Sequence, residues 1–439
     1  MTTRNNKKVA IIGLGYVGLP LAVLAQEKGW QIYGVDIDQE KVKLINKKIS
    51  PLNDPQLAKQ LKAYPIKAGT NPAVVREVEI IIIAVPTPVN KKHEPDLSPL
   101  ISAVDSILPH IKKGQTIVIE STINPGVMDE IIAPLFMKRN DLHTKANGDS
   151  SKPNIYLAHC PERINPGDPK WTVRNIPRVL GSYTPAGFKK ALRFYEDVIE
   201  APIKEMASPT EAEAVKILEN TFRDVNIAFI NEMAKSFSVL GIDIINVIAG
   251  AATKPFAFFP HYPSNGVGGH CISVDPYYMI ERAKQVGFDH KFLKLARKIN
   301  EGMPTYTIGQ LELGLKELKL SLASTSIALL GVSYKKDVAD TRNSPALVIQ
   351  KLLQDRGAKV TTYDPYSKKH STAKTLDEAA EKSDIILLAT DHTQFINKIT
   401  PAFLKKHNIK LVIDGKNCLD HIKISQAGIP YYGIGRTST

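Results

Sequence analysis

The sequence predicts an α/β protein in which two parallel-sheet domains flank a long helix. Three observations carry this. Short apolar runs alternate with helix-like stretches over the first two hundred residues, the alternation returns after residue 320, and between them lies a stretch of helical periodicity with few breakers. Repeated strand-then-helix units bury a parallel sheet on both faces.

In the first part the strand candidates are Val9 to Gly13, Gln31 to Asp36, Glu79 to Val85, Thr116 to Glu120 and Asn154 to Ala158. The pattern changes at Ser208-Pro209-Thr210-Glu211, which offers a capping Ser, a Pro at the first helical position and a Glu at the third. Such side chains satisfy amides that a helix start leaves open. Beyond Pro209 neither Gly nor Pro appears until Gly241, which allows about 32 helical residues, roughly 48 Å. A helix that long can bridge domains or build a dimer core. Val215, Leu218, Phe222, Val225, Phe229 and Met233 recur at intervals of three and four and are expected to form its buried face. After a polar connection around Gly314 to Ser321, strands are expected at Ser326 to Gly331, Lys359 to Asp364, Asp384 to Ala389 and Lys410 to Asp414. The domains expected are therefore 1–207, 208–320 and 321–439.

With 439 residues and 43% hydrophobic content, the chain can fill two to four ordinary cores. Its first eight residues are polar and lead straight into Val9 to Ile12, unlike a secretory signal. The apolar run Ile80 to Val85 stops at Pro86 and Pro88, far short of a membrane span. A cytoplasmic protein without a membrane partner is expected. Cys160, Cys271 and Cys418 are odd in number and widely spaced, which fits neither a disulfide framework nor a metal site. The net charge of +13 is spread over scattered lysine pairs without aromatic interleaving. Small polyanionic ligands explain it better than nucleic acid, and a basic surface serving solubility is the competing reading.

Gly13-Leu14-Gly15-Tyr16-Val17-Gly18 follows the first strand and opens a helix, the Rossmann arrangement in which a pyrophosphate meets a helix N-terminus. Asp36 closes the second strand 23 positions after Gly13. There an acid binds ribose hydroxyls and repels a 2′-phosphate, favouring NAD over NADP. The last domain has only Gly331 after its first strand, so no second dinucleotide is expected there.

Asn265-Gly266-Val267-Gly268-Gly269-His270-Cys271 is a glycine-rich loop carrying a thiol, with Asp275 four residues on. So much glycine before one cysteine suits a backbone wrapped around a ligand, and a thiolate is the nucleophilic form. Cys160 and Cys418 read as core thiols. On the long helix Lys216 and Asn220 share a face, with Arg223 beyond them; the group could stabilise an alkoxide or form a solvated charged face. Glu120-Ser121-Thr122 and Pro161-Glu162-Arg163 each follow a strand at the carboxyl edge where ligands of open α/β sheets bind. Taken singly, Thr122 could cap a helix and Glu162 could be a surface acid.

Together these residues resemble the UDP-glucose and UDP-N-acetylhexosamine 6-dehydrogenase family over essentially the whole chain. The matching segments are Gly13 to Gly18 with Tyr16, Pro86-Thr87-Pro88, Glu120-Ser121-Thr122, Pro161-Glu162-Arg163, Glu213 through Asn220, the Cys271 loop, and Val332 through Arg342. The resemblance implies an N-terminal Rossmann NAD domain, a central long-helix domain used in dimerisation, and a C-terminal Rossmann-like domain that binds UDP. It implies a four-electron oxidation of a sugar C6 hydroxymethyl for surface polysaccharide synthesis. Cys271 would add to the C6 aldehyde as a thiohemiacetal, later a thioester. Lys216 and Asn220 would steady the oxyanions, Asp275 and Thr122 would position water, and Glu162 would act as base in hydrolysis. NAD contacts fall to the glycine loop, Tyr16, Val17, Asp36, Lys41, Pro86, Thr87 and Thr122. Substrate contacts fall to Glu162, Arg163, Lys216, Asn220, Arg223, Lys254, Gly268, Lys335, Lys336, Arg342 and Lys416, and no metal is implied.

Ala252 to Phe256, Asn220 to Ile227 and Asp275 to Tyr278 look most like the N-acetylhexosamine branch, with UDP-N-acetylglucosamine the first choice. Arg163 to Asp168 resembles relatives using UDP-N-acetylgalactosamine; UDP-N-acetylmannosamine and UDP-glucose stay open. Three positions depart from the family: Pro166 where the glucose branch carries a second Glu, Ser273 where a Pro is usual, and Lys416 where many relatives carry Arg. The second would loosen the Cys271 loop, and the third would weaken a bidentate contact. A two-electron hydroxyacid dehydrogenase and a non-enzymatic NAD-binding protein are the competing readings.

Overall fold

The computed structural model describes residues 7–90, 94–144, 153–164, 170–269 and 271–436. His270 and the 165–168 part of the Arg163 to Asp168 segment, with Pro166, lie outside them. The chain divides into two compact units, residues 1–219 with 277–286 and residues 220–276 with 287–439.

The first unit is built on eight strands: β1 (Lys8–Ile12), β2 (Gln31–Val35), β3 (Lys67–Gly69), β4 (Ile80–Ile83), β5 (Thr116–Ile119), β6 (Tyr156–His159), β7 (Arg178–Ser182) and β8 (Ile203–Met206). Their order is β3-β2-β1-β4-β5-β6-β7-β8, parallel except for the β6–β7 pair. All four isoleucines of β4 are buried, as a strand sandwiched between helix layers requires. The order of strand addition reverses between the parallel neighbours β1 and β4, so the loops after β1, β4, β5 and β6 gather at one carboxyl edge.

The second unit carries β9 (Ser326–Leu330), β10 (Lys359–Tyr363), β11 (Ile385–Leu388), β12 (Leu411–Asp414) and β13 (Tyr431–Gly433). All are parallel, in the order β10-β9-β11-β12-β13. Its switch point, between β9 and β11, collects the loops after β9, β11 and β12. The architecture is thus two Rossmann-like sheets and a central helical region. Asp364 in the second sheet stands where Asp36 stands in the first, and its carboxylate accepts the Val332 amide as Asp36 accepts that of Leu14. His392 also packs on Asp364 at 3.1 Å, so this acid is engaged inside the domain.

The long helix runs Pro209–Val239, 31 residues. Ser208 Oγ accepts the Glu211 amide at 3.1 Å and the Glu211 carboxylate accepts that of Ala207 at 2.9 Å, so the sequence signal at its start was correct. The expected buried stripe was not. Leu218, Phe222 and Phe229 are 70%, 49% and 57% exposed. The covered side carries Glu213, Lys216, Asn220, Asp224 and Asn231. Periodicity shows that a helix has two faces; which one is covered depends on partners distant in sequence. Here Asp224 meets Arg297 at 2.6 Å and Asn300 at 2.8 Å, while Asn231 donates to Asn300 at 2.9 Å. The same covered side also buries Ala212, Ile217, Ala228, Ile230 and Ala234, so polar groups with partners and small or branched apolar groups share it, and the larger Leu218, Phe222 and Phe229 are left outside.

Candidate active site

β1 delivers Gly13 to the switch point. Its φ is +92°, and a Cβ there would stand 2.6 Å from the Ala84 carbonyl oxygen; one on Gly18 would stand 1.9 Å from that of Gly13. Gly15 differs, since nothing lies within 4 Å of where its Cβ would be. The open peptide at Gly15 leaves room for a pyrophosphate, and Tyr16 and Val17 lead into the helix Gly18–Glu27. Asp36 accepts the amides of Leu14 (2.8 Å) and Asp38 (3.0 Å) and pairs with Lys41 at 2.8 Å. Burial works against its charge, but the Lys41 ammonium and the amides hold its carboxyl below the usual range. An ionised acid, an open glycine and a helix N-terminus together fit NAD.

The loops after β4 and β5 form one ledge. Thr87 Oγ1 donates to the Thr122 carbonyl at 2.6 Å, Ser121 Oγ to that of Val85 at 2.8 Å, and the Tyr278 hydroxyl to that of Thr87. Pro86, Thr87 and the half-buried Thr122 are therefore held together beside the glycine loop's strand.

After β6, Glu162 is buried, with Oε1 accepting the amides of Arg163 (2.6 Å) and Ile164 (2.8 Å) and Oε2 against the Arg178 guanidinium. Arg178 is fully buried and also lies 3.8 Å from Glu120, which accepts the Tyr195 hydroxyl at 2.6 Å. Arg178 and Tyr195 are absent from the sequence-derived site. The one signal was an arginine opening an otherwise apolar run. Arg163 is taken up by Glu219 and the Pro177 carbonyl.

On the long helix Lys216 is only 8% exposed, yet among the described residues its ammonium has neither hydrogen bond nor ion pair. Asn220 Nδ2 donates to Asp275 Oδ2 at 2.6 Å, both residues being buried. The amides of Val274 and Asp275 donate to the Cys271 carbonyl at 2.9 and 2.8 Å. Cys271, Asp275 and Asn220 are thus one connected group, with the Cys271 carbonyl accepting amides from the first turn leading into the helix Asp275–Gln285. The expected loosening at Ser273 is offset: its hydroxyl donates to the Gly269 carbonyl at 2.5 Å.

The remaining candidates line loops of the second unit. Lys335 and Lys336 follow β9, Arg342 is paired with Asp340, and Lys416 follows β12. Burial pushes the Lys416 ammonium down despite Asp391 and Asp414. Arg223 is exposed, and Lys254 lies 4.7 Å from the Phe256 ring centre. Among the described residues no three His, Cys, Asp or Glu side chains are grouped to hold a metal, and no helix is long and apolar enough to cross a membrane.

Three profiles of one family match in series: the NAD binding domain of the UDP-glucose/GDP-mannose dehydrogenase family over residues 7–199, its central domain over 210–302 and its UDP binding domain over 328–421. The UDP-N-acetyl-D-mannosamine dehydrogenase of Methanococcus maripaludis is 36% identical, over 98% of this chain and 97% of that protein. The UDP-N-acetyl-D-glucosamine 6-dehydrogenase of Pseudomonas aeruginosa is 33% identical over 89% and 92%. The solved UDP-D-ManNAc dehydrogenase of Pyrococcus horikoshii superposes with a TM-score of 0.90 at 33% identity, over 98% of this chain and 100% of that one. The chain belongs to the UDP-glucose/GDP-mannose dehydrogenase family, as an NAD-dependent oxidoreductase of UDP-sugars.

Proposed function

We propose that the enzyme oxidises the C6 hydroxymethyl of a UDP-N-acetylhexosamine to the carboxylate, through a thiohemiacetal and a thioester on Cys271. The observation that carries this reading is the buried Asn220–Asp275 hydrogen bond joined through the Asp275 amide to the Cys271 carbonyl. A thiol-bearing loop, an amide donor and a carboxylate tied together in this way support the assignment of Cys271 as nucleophile. NAD, when bound, accepts a hydride from C6 in each of the two oxidations. Lys216, buried and with no anionic partner among the described residues, is suited to an alkoxide or oxyanion of the substrate. Asp275 and Thr122 would hold a water that takes the proton. Cys271 Sγ adds to the aldehyde carbon, retains the acyl group through the second oxidation, and leaves as the thiol when water attacks the thioester. Glu162 is assigned the base of that hydrolysis; its contacts with two amides and Arg178 keep it oriented. Lys335, Lys336, Arg342 and Lys416 would face the UDP moiety, with Arg163, Arg223, Lys254 and Gly268 toward the sugar, and the division at 207/208 and 320/321 is kept as the functional one.

For the epimer, relatives named UDP-N-acetyl-D-mannosamine dehydrogenase support the manno sugar. UDP-N-acetylglucosamine is the second reading, favoured by the relative from Pseudomonas aeruginosa. Three free thiols suit a reducing cytoplasm, and a uronate product suits surface polysaccharide synthesis. With limiting UDP-N-acetylmannosamine and excess NAD, two NADH per sugar are expected, and Cys271→Ser should abolish the second. One NADH per sugar in the wild type would remove the covalent role of Cys271. A higher kcat/KM for UDP-glucose would sink the N-acetyl assignment.

A further inference from the structure

The Cys271 loop is gripped by the same segments that carry the candidate nucleotide contacts. At its start, the Asn265 amide donates to the Gly415 carbonyl at 2.9 Å and Asn265 Nδ2 to that of Ala389 at 3.0 Å. Further on, the Gly269 amide donates to the Arg342 carbonyl at 3.0 Å, and the Asn343 side-chain amide donates to the Gly269 carbonyl at 3.1 Å. There is no slack between the two segments. A Cβ on Gly268 would stand 2.7 Å from Tyr334 Cβ and 2.8 Å from Pro345 Cδ, and one on Gly269 would stand 2.8 Å from the Tyr334 ring.

The segment on the other side is itself closed. The Tyr334 amide donates to the Asp340 carbonyl at 2.9 Å, and Asp337 is fixed by the His392 ring and by Thr393. Lys335, Lys336 and Arg342 lie on or beside that closed loop, so phosphate bound to them would load its backbone. Asn343 is held at φ +50°, in the left-handed region that Asn tolerates better than most residues. At that φ its side-chain amide reaches the Gly269 carbonyl. Gly269 lies two residues before Cys271.

We infer that Asn343 is a positioning residue: its amide restrains the Cys271 loop through Gly269, and fixation of the 334–342 segment by the nucleotide tightens that restraint. The inference rests on the UDP-sugar reading above and adds a coupling to it.

The test measures alkylation of Cys271 by iodoacetamide in the full-length protein with and without UDP, the modified peptide being identified by mass spectrometry. In the wild type UDP should slow modification by about fivefold, the ordinary size of a coupling between sites. Asn343→Asp keeps the tolerance for positive φ but removes the donor; Asn343→Gly removes the side chain without a φ penalty. Both should modify Cys271 faster without UDP and respond to UDP less than about twofold. They should still bind UDP, with an affinity changed by no more than the coupling factor, because linkage is reciprocal. Slowing by UDP that persists in both variants would mean simple shielding and would overturn the inference, as would a wild type that binds UDP with no change in alkylation. A wild type that binds no UDP at all in calorimetry would overturn the nucleotide reading itself and the coupling with it.

Discussion

Arg178 shows how one side chain can decide the state of its neighbours. A single guanidinium stands between two buried carboxylates, and it does not serve them equally. Glu162 has the close contact and two backbone amides as well. Glu120, at 3.8 Å, has otherwise only a neutral tyrosine hydroxyl. Burial accordingly pushes Glu120 up to about 7 in spite of Arg178, with the charge of Glu162 adding to the rise. The same cluster pushes the Cys160 thiol far up through burial, so Cys160 is an inert core thiol and Cys271 is left as the reactive candidate. Removing the cation leaves buried charge uncompensated, so Arg178→Met should cost about 3–5 kcal/mol of stability. The guanidinium chloride unfolding midpoint checks this; a loss under about 1 kcal/mol would mean that water enters and screens the pair. None of this could be read from sequence, because Arg178 meets its partners only after three strands have assembled.

The long helix is the element on which most of the chemistry hangs, and its first turns are fastened by Glu213. That carboxylate accepts the amides of Gly126 and Met128 at 2.7 and 2.8 Å. Burial nonetheless wins over the amides and pushes the carboxyl from 4.5 up to about 8. An acid whose folded value is raised binds more protons in the native than in the unfolded state between those two values. Its contribution is whole below about pH 4.5 and is lost as pH rises through about 8. Wild-type stability should therefore fall by up to about 4 kcal/mol from this group between about pH 5 and pH 9. Glu213→Gln should flatten that slope, and equal slopes in the two proteins would show that Glu213 stays ionised. The start of this helix was legible because Ser208 and Glu211 act on their own neighbours. The strands of Ile and Val were legible for a similar reason, since β-branched runs state their burial locally. β3 has three residues, β8 is Ile-Lys-Glu-Met with exposed charges, and β13 is Tyr-Tyr-Gly; such segments become strands only because a neighbouring edge is waiting. The glycine loop and Asp36 announce themselves as candidates by spacing, and Cys271 by its glycine-rich loop, whereas Arg178 and Asn343 act through contacts that only folding creates.

At the scale of the whole molecule, the exposed apolar stripe of the long helix is the feature with the widest consequence. Its covered side mixes polar groups with Ala212, Ile217, Ala228, Ile230 and Ala234, while Leu218, Phe222 and Phe229 are left to solvent along one helix some 46 Å long at the usual rise. Phe222 also meets Phe259 edge-on at 6.5 Å and His261 at 6.2 Å, so the apolar face extends off the helix. Large aromatic groups in a contiguous patch facing water are costly unless another surface covers them. A second copy is the occupant that a self-complementary helix face admits with the fewest assumptions, because two such helices can cross antiparallel about a two-fold axis. A homodimer burying at least about 1,200 Å² is therefore expected in solution. Phe222→Asp with Phe229→Asp would place two charges in the centre of that contact. Sedimentation should give twice the chain mass for the wild type and the chain mass for the double variant, with its secondary structure retained. A monomeric wild type would remove the dimer, while a dimer that survives both charges would put the contact on another face and leave these aromatics without a partner.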